Sequence, residues 1–316
     1  MKFRTEISIP ASPLKIEHED KILTLGSCFA ENIGEKFSYY LFNVFPNPFG
    51  VLYNPVSIYN SLELALSGRE FAGNDLFFDK EEWHSFYHHS DFSHHEPEEC
   101  LKKINSRSKE VREFIKQAEW IIITLGTSFV YRHKEREQIV SNCHRIPADR
   151  FERMLLSPDE SEGYLNKTIS LLRKENKNIK IILTVSPVRH IKDGFAENQL
   201  SKSSLVVAVH NSVKRNENVL YFPSYEIVMD DLRDYRFYER DLLHPDAFAV
   251  EYIWEKFGEA FLSGRCREVM SDIEPYASGI RHRINNTESP NSKKFIESLE
   301  SKKESLIERY PYLNLT

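Results

Sequence analysis

The sequence predicts an α/β protein: a three-layer αβα sandwich built on a parallel sheet. Two observations carry this. Short apolar, β-branched runs alternate along the chain with segments of helical periodicity. Each run is continuously apolar, as expected of strands covered on both faces. Strands that alternate with helices join by right-handed crossovers, which puts helices on both sides of one parallel sheet.

The strand runs are Ile22–Leu25, Trp120–Leu125, Ile179–Val185 and Val219–Phe222, with a weaker one near Val44–Phe45. Helical segments are expected at Phe29–Leu41, Val56–Leu66, Ser108–Ala118, Glu162–Glu175, Ser201–Lys214 and Ala247–Leu262. Phe29, Ile33 and Phe37 fall on one face of the first of these. Two regions break the alternation. Residues 68–106, rich in His, Phe and Asp, read as a long excursion over the sheet edge. Phe129–Val140 reads as a small hairpin with a charged tip, Lys134 to Glu137. The sandwich domain is expected to span 1–263. Residues 264–316 are polar and helical in character, most clearly Lys293–Glu308, and read as a helical extension.

Composition narrows the function. The 316 residues are 41% hydrophobic and 28% charged, enough to bury a large core. A net charge of −6 lacks the basic surface that phosphate binding needs, so nucleic acid is not an expected partner. No apolar run approaches the roughly 18 residues of a membrane span. The first six residues lack the apolar core of a signal peptide. The four cysteines (Cys28, Cys100, Cys143, Cys266) form no CxxC pair, so reduced thiols in the cytoplasm are expected.

The chemistry begins where Lys21 to Leu25 stops at Gly26 and helical spacing takes over. A buried strand turning sharply into a helix leaves its first helical residues at the carboxyl edge of the sheet, where open α/β sheets bind ligands. Ser27 and Cys28 occupy that turn. Ser27 is a good helix N-cap and equally a hydroxyl nucleophile. Cys28 would be the first helical residue, where the helix dipole favours thiolate. The alternative for Cys28 is a small buried hydrophobe. Far downstream, Asp241 and His244 supply a carboxylate and an imidazole three residues apart. A thiol or hydroxyl with such a pair has the composition of a catalytic triad: His244 as base then acid, Asp241 fixing its tautomer.

Other residues are expected around that edge. His84, His88, His89, His94 and His95 cluster with carboxylates, but their spacing matches no known metal pattern. With Trp83, Phe86, Tyr87 and Phe92 among them they read as a lid, His88 and His89 facing substrate, or as surface and packing residues; a metal-dependent enzyme using the cluster is a further alternative. No metal or cofactor is expected. Arg189, after the third main strand, either holds an anionic group bidentately or bridges structural carboxylates. Asn54 either caps a helix or contacts substrate.

Several stretches together resemble one family. They are Gly26-Ser27-Cys28-Phe29-Ala30, Asn47-Pro48-Phe49-Gly50, His88-His89-Ser90, Ser141-Asn142-Cys143-His144, Ser186 to His190, Tyr221 to Glu226 and Asp241 to Pro245. The chain resembles the GSCFA family, a branch similar to the SGNH/GDSL hydrolases. The resemblance implies a flavodoxin-like sandwich of the SGNH-hydrolase type. It puts the nucleophile at Cys28, an oxyanion-hole amide at Gly50, and the remaining pair at Asp241 and His244. Two positions depart from the superfamily pattern: Ser27 replaces its Asp, and Ser128 stands where its oxyanion Asn would be. Ser128, or Asn142 from elsewhere in the chain, is the expected substitute, Asn142 being also a candidate substrate contact. The implied activity is acyl hydrolysis or acyl transfer on a small-molecule or carbohydrate ester or thioester. The alternative is a catalytically degenerate protein that binds a carbohydrate or another protein.

Overall fold

A computed structural model describes residues 4–282, 289–313 and 315. Residues 1–3 of the amino-terminal segment, and 283–288, 314 and 316 of the expected helical extension, lie outside the described residues.

The chain opens with β1 (Lys21–Gly26), α1 (Cys28–Tyr39), β2 (Asn43–Pro46) and α2 (Pro55–Leu66). The excursion follows, with a small hairpin of β3 (Phe77–Asp79) and β4 (Glu82–His84), then α3 (Pro97–Ile115) and β5 (Trp120–Leu125). A second, antiparallel sheet holds β6 (Phe129–His133), β7 (Gln138–Val140) and β8 (Phe151–Leu155). The sandwich resumes with α4 (Pro158–Glu175), β9 (Lys180–Val185), α5 (Phe195–Arg215) and β10 (Val219–Phe222). A short turn, α6 (Ser224–Glu226), precedes α7 (Ala247–Phe261), α8 (Gly264–Arg281) and α9 (Pro290–Arg309).

The central sheet runs β10-β9-β5-β1-β2, with every pairing parallel. Counting only these strands along the chain, the order is 2-1-3-4-5, the flavodoxin-like arrangement, which reverses between β1 and β5. The three layers are visible in alternate residues of one strand. Leu23 and Leu25 of β1 face a core closed by α2, α3, α4 and α5. Ile22 faces the opposite core, closed by α1 and α7. On that side Phe37 meets Trp254 and Phe257 edge-on at 4.9 and 5.8 Å, which docks α7 on α1.

The strands fall where apolar runs predict them, and the weak run near Val44–Phe45 is the edge strand β2. Helix starts differ more. α3 begins at Pro97, eleven residues before the expected Ser108. Proline at the first helical position and the acids Glu98 and Glu99 in the first turn are its start signals. Few apolar residues mark its buried face: Cys100, Ile104, Val111 and Ile115. The hairpin also gains an unexpected third strand, since β8 pairs with β6 from Phe129↔Leu155 to His133↔Phe151. In the carboxyl-terminal part, Val269, Ile273 and Ala277 of α8 pack with Leu306 of α9, against Tyr39 and Tyr40. No described helix is long and apolar enough to cross a membrane.

Candidate active site

Gly26 makes the turn out of β1. Its φ is +134°, and a Cβ there would lie 2.0 Å from the Thr124 carbonyl oxygen of β5. Only glycine satisfies both conditions. Ser27 follows in extended conformation as the N-cap of α1, its N–H donating to Thr124 O at 3.0 Å. Its hydroxyl makes no capping bond. It is fully buried and has no hydrogen-bond partner among the described residues. Cys28, the first residue of α1, is only partly buried, so of the two nucleophile candidates the thiol is the one near solvent.

That thiol is not the activated thiolate expected at a helix start. Burial raises its pKa above the ordinary 9.0, and the Glu31 carboxylate one turn along raises it further. Lys202 and the amides of Phe29 and Cys28 pull the other way without prevailing. The helix dipole falls off within a turn and here loses to desolvation.

The second half of the site is intact. Asp241 Oδ2 and His244 Nδ1 are 2.6 Å apart, and Asp241 Oδ1 accepts from the backbone amides of Leu243 and His244 at 2.9 and 3.0 Å. Those two amides, then the imidazole, hold the Asp241 carboxyl down at about 2. The loop is fastened by Arg189. Its guanidinium donates to the Leu242 carbonyl and lies 4.7 Å from the Tyr238 ring centre, and its amide donates to Leu243 O. No structural carboxylate is its partner among the described residues; these contacts tie it to the loop that carries His244.

Among the described residues Cys28 and His244 share no hydrogen bond. Between these two halves lies His190. Its ring meets Tyr53 edge-on at 5.4 Å, and its Nε2 is buried without a partner among the described residues. Burial, then the charges of Lys202 and His244, lower its pKa to about 4, so it is neutral. A Cβ on Gly126 would touch Tyr53 (3.1 Å), Ser27 (3.2 Å) and His190 Nε2 (3.3 Å) together. The bare glycine is what lets these three groups converge.

Both expected oxyanion donors are engaged elsewhere. The Gly50 N–H donates to Asn47 O at 2.8 Å, closing a turn that needs its φ of +74°. The Ser128 hydroxyl is fully buried and donates into Ser201 of α5, leaving no proton for an incoming oxyanion. His88 does not face substrate either. It is buried between Phe71 and Phe92, bonded to Ser85 Oγ at 2.9 Å, with its pKa lowered to about 3 by burial. A core needs neutral rings, and these histidines supply them. Asn54 Oδ1 caps α2 by accepting from Ser57 N at 2.8 Å. Asn142 Oδ1 accepts from His144 N at 2.8 Å, and its amide reaches Ser90 Oγ at 3.4 Å.

A cleft of about 360 Å³ brings several of these residues together: Tyr53, Asn54, His89, Asn142, Cys143 and His190 line it. Donor atoms of His94, His95 and Glu96 lie within 4.8 Å of one another at the surface, the closest approach to a metal-ligand set among the described residues. Sequence reasoning missed His190, Tyr53 and Lys202 as members of the site. His190 had a signal, its place just after a strand at the same carboxyl edge. Lys202 had none, because a lysine on a helix ordinarily faces water.

No curated protein matches the sequence. Among solved structures, a carbohydrate esterase family 3 protein from Talaromyces cellulolyticus is similar with a TM-score of 0.30 and 9% identity, over 53% of this chain and 65% of that one. An acetyl xylan esterase from the rumen bacterium Butyrivibrio proteoclasticus is similar with a TM-score of 0.30 and 13% identity, over 78% of this chain and 67% of that one. Likenesses this distant leave the chemistry to the site itself. The GSCFA family profile matches residues 21–257, which cover both the Gly26–Ala30 turn and the Asp241–His244 pair, and the chain belongs to the GSCFA family.

Proposed function

We propose that the protein is an acyl hydrolase or acyltransferase in which Cys28 attacks an ester or thioester carbonyl. The observation that carries this reading is the placement of Cys28 at the helix start beside the sheet's switch point, with a formed Asp241–His244 pair in the loop fastened by Arg189. His244 takes the thiol proton as sulfur bonds to the carbonyl carbon, then returns it to the departing alcohol or thiol. Water or an acceptor hydroxyl next attacks the acyl-enzyme, and the thiol is regenerated. Asp241 fixes the His244 ring with Nδ1 as donor. With Gly50 and Ser128 engaged, the first-turn amides of Cys28 and Phe29 are the oxyanion donors. Tyr53, Phe129 and Tyr131 beside Asn54 and Asn142 suit the cleft to a small-molecule or carbohydrate ester. The four unpaired cysteines fit a reducing compartment, the cytoplasm.

A second reading is a binding protein that keeps the hydrolase fold without its chemistry. The engaged Gly50 amide and Ser128 hydroxyl and the protonated Cys28 thiol favour it. Stopped-flow release of p-nitrophenol from p-nitrophenyl acetate separates the two. Catalysis gives an acylation burst in the wild type that Cys28→Ala and His244→Ala both abolish. Equal slow release from all three proteins rules out the enzyme.

A further inference from the structure

Asn47 follows the last residue of β2 with its backbone in the left-handed region, at a φ of +38°. It is 8% exposed. Its N–H donates to Thr24 O at 2.9 Å and its carbonyl accepts from Gly50 N at 2.8 Å, so its main chain is satisfied. The side chain is not. Neither Oδ1 nor Nδ2 makes a well-formed hydrogen bond among the described residues, although the amide stands close enough to the Glu31 carboxylate to favour its charge. A strained residue that also buries an incompletely bonded amide costs stability on both counts. Such a residue calls for an explanation in the space beside it.

That space is a cleft of about 850 Å³ between α1 and α3, with Asn47 on its wall. It lies in the size range of small-molecule sites. Its cations all come from α3, and all are engaged. Lys102 pairs with Glu99 and Arg107 with Glu110, each at 3.1 Å, and Lys103 reaches the Asp91 and Ser93 carbonyl oxygens at 3.5 Å. The α1 wall is different. Glu31 and Glu35, four residues apart on one helix, both line the cleft. Neither has a Lys or Arg within salt-bridge distance among the described residues, and like charges at this spacing repel. The cleft therefore presents an uncompensated negative wall with a buried amide beside it.

This cleft adjoins the candidate active site. Glu31 is one turn along α1 from Cys28. Gly50, also on the wall, packs so tightly against His89 that a Cβ there would lie 2.3 Å from the His89 Cβ. His89 in turn lines the 360 Å³ cleft that holds Tyr53 and His190. The two clefts thus adjoin across one histidine. A hydrolase needs only water as its second substrate, whereas a transferase needs a place to hold an acceptor.

We propose that the cleft between α1 and α3 is an acceptor site, that its ligand is an amino sugar, and that the protein is a transferase rather than a hydrolase. Glu31 and Glu35 hold the ammonium group, and the buried Asn47 amide steadies the Glu31 carboxylate. A simple amine would leave most of the volume unfilled, and polar walls favour hydroxyls over an apolar chain. One ligand hydroxyl attacks the acyl-enzyme. Its oxygen bonds to the carbonyl carbon, the carbon–sulfur bond breaks, and the hydroxyl proton passes through His244 to the Cys28 sulfur. The transfer step rests on the reading of Cys28 as nucleophile, but the binding needs no turnover.

Titration of the full chain with D-glucosamine at pH 6.5, where its amine is protonated, tests this by ¹⁵N NMR. Saturable shifts are expected at the backbone amides of Glu31, Glu35 and Asn47. D-glucose, which lacks the charge, should bind at least about tenfold more weakly. Glu31→Gln combined with Glu35→Gln should bring D-glucosamine down to the level of D-glucose. No saturable shift at these amides, equal binding of the two sugars, or undiminished binding in the double variant overturns the proposal. The comparison of the two sugars on the wild type decides the matter even if the variant does not fold. The p-nitrophenyl acetate burst is measured alongside. Binding without a burst refutes the acyl-transfer reading and leaves an amino-sugar site. A burst without binding removes the acceptor site and leaves a hydrolase.

Discussion

Asp241 grips His244 twice: one carboxylate oxygen takes the ring's Nδ1 at 2.6 Å, and the other takes the residue's own backbone amide at 3.0 Å. A side chain bound to both ends of its neighbour fixes the ring's position and its tautomer together. That leaves Nε2 as the basic nitrogen.

Asp241→Asn therefore separates orientation from charge. The amide can still accept from the two backbone groups, but it does not hold the imidazole in the same tautomer. We expect the p-nitrophenyl acetate burst to slow by about 10²- to 10⁴-fold, the range for a lost or misdirected general base. The thermal midpoint should stay within error of wild type, because the pair is exposed. A burst unchanged by this substitution removes Asp241 from the mechanism.

Ser27→Ala tests which residue at the turn is the nucleophile. The Ser27 hydroxyl is buried and unbonded, so removing it discards an unsatisfied polar group. The variant should unfold at the same or slightly higher urea concentration, by up to about 1 kcal/mol, with the burst retained. Loss of the burst in Ser27→Ala, with Cys28 still alkylated normally, reverses the assignment.

Gly26→Ala tests the turn itself. A methyl group there meets the Thr124 carbonyl oxygen at 2.0 Å, on a backbone with φ of +134°. Neither the strand pairing nor the dihedral accommodates it. A loss of about 3 kcal/mol or more is expected in urea unfolding, or no folded protein at all. Wild-type stability in this variant shows that the β1 exit is not as tight as described.

The buried histidines make the excursion over the sheet edge acid-sensitive. Folded His88 and His144 have pKa values lowered to about 3 and about 4, from an ordinary 6.5, mainly by burial. The unfolded chain then binds protons at these sites that the folded chain refuses. Stability is fully present above pH 6.5 and is lost as pH falls from there toward the folded values. At pH 5 the loss is about 2 kcal/mol per histidine. Urea midpoints at pH 7.5 and pH 5 in wild type and in His88→Asn, His144→Asn check this. The substituted protein should lose less on acidification. An equal loss in both assigns the acid sensitivity to other groups.

Local sequence determined what depends on neighbours a few residues apart. Apolar runs marked the strands of the central sheet, and their alternation with helical periodicity marked a parallel sandwich, because both follow from which faces must be dry. The Asp241–His244 pair was legible for the same reason: three residues in one turn can touch without help from the rest of the chain. Tertiary packing decided the remainder. Whether Ser27 or Cys28 looks outward depends on how α1 leaves β1 against Thr124. Whether Gly50 and Ser128 keep free donors depends on Asn47 and on Ser201, the latter 73 residues away in sequence from Ser128. Lys202, which reads as a solvent-facing helical lysine, is buried against the Gly126 and Ser186 carbonyls once α5 is laid against the sheet. Spacing specifies which side chains are near in sequence, but desolvation and charge act through space, and only the packed chain sets them.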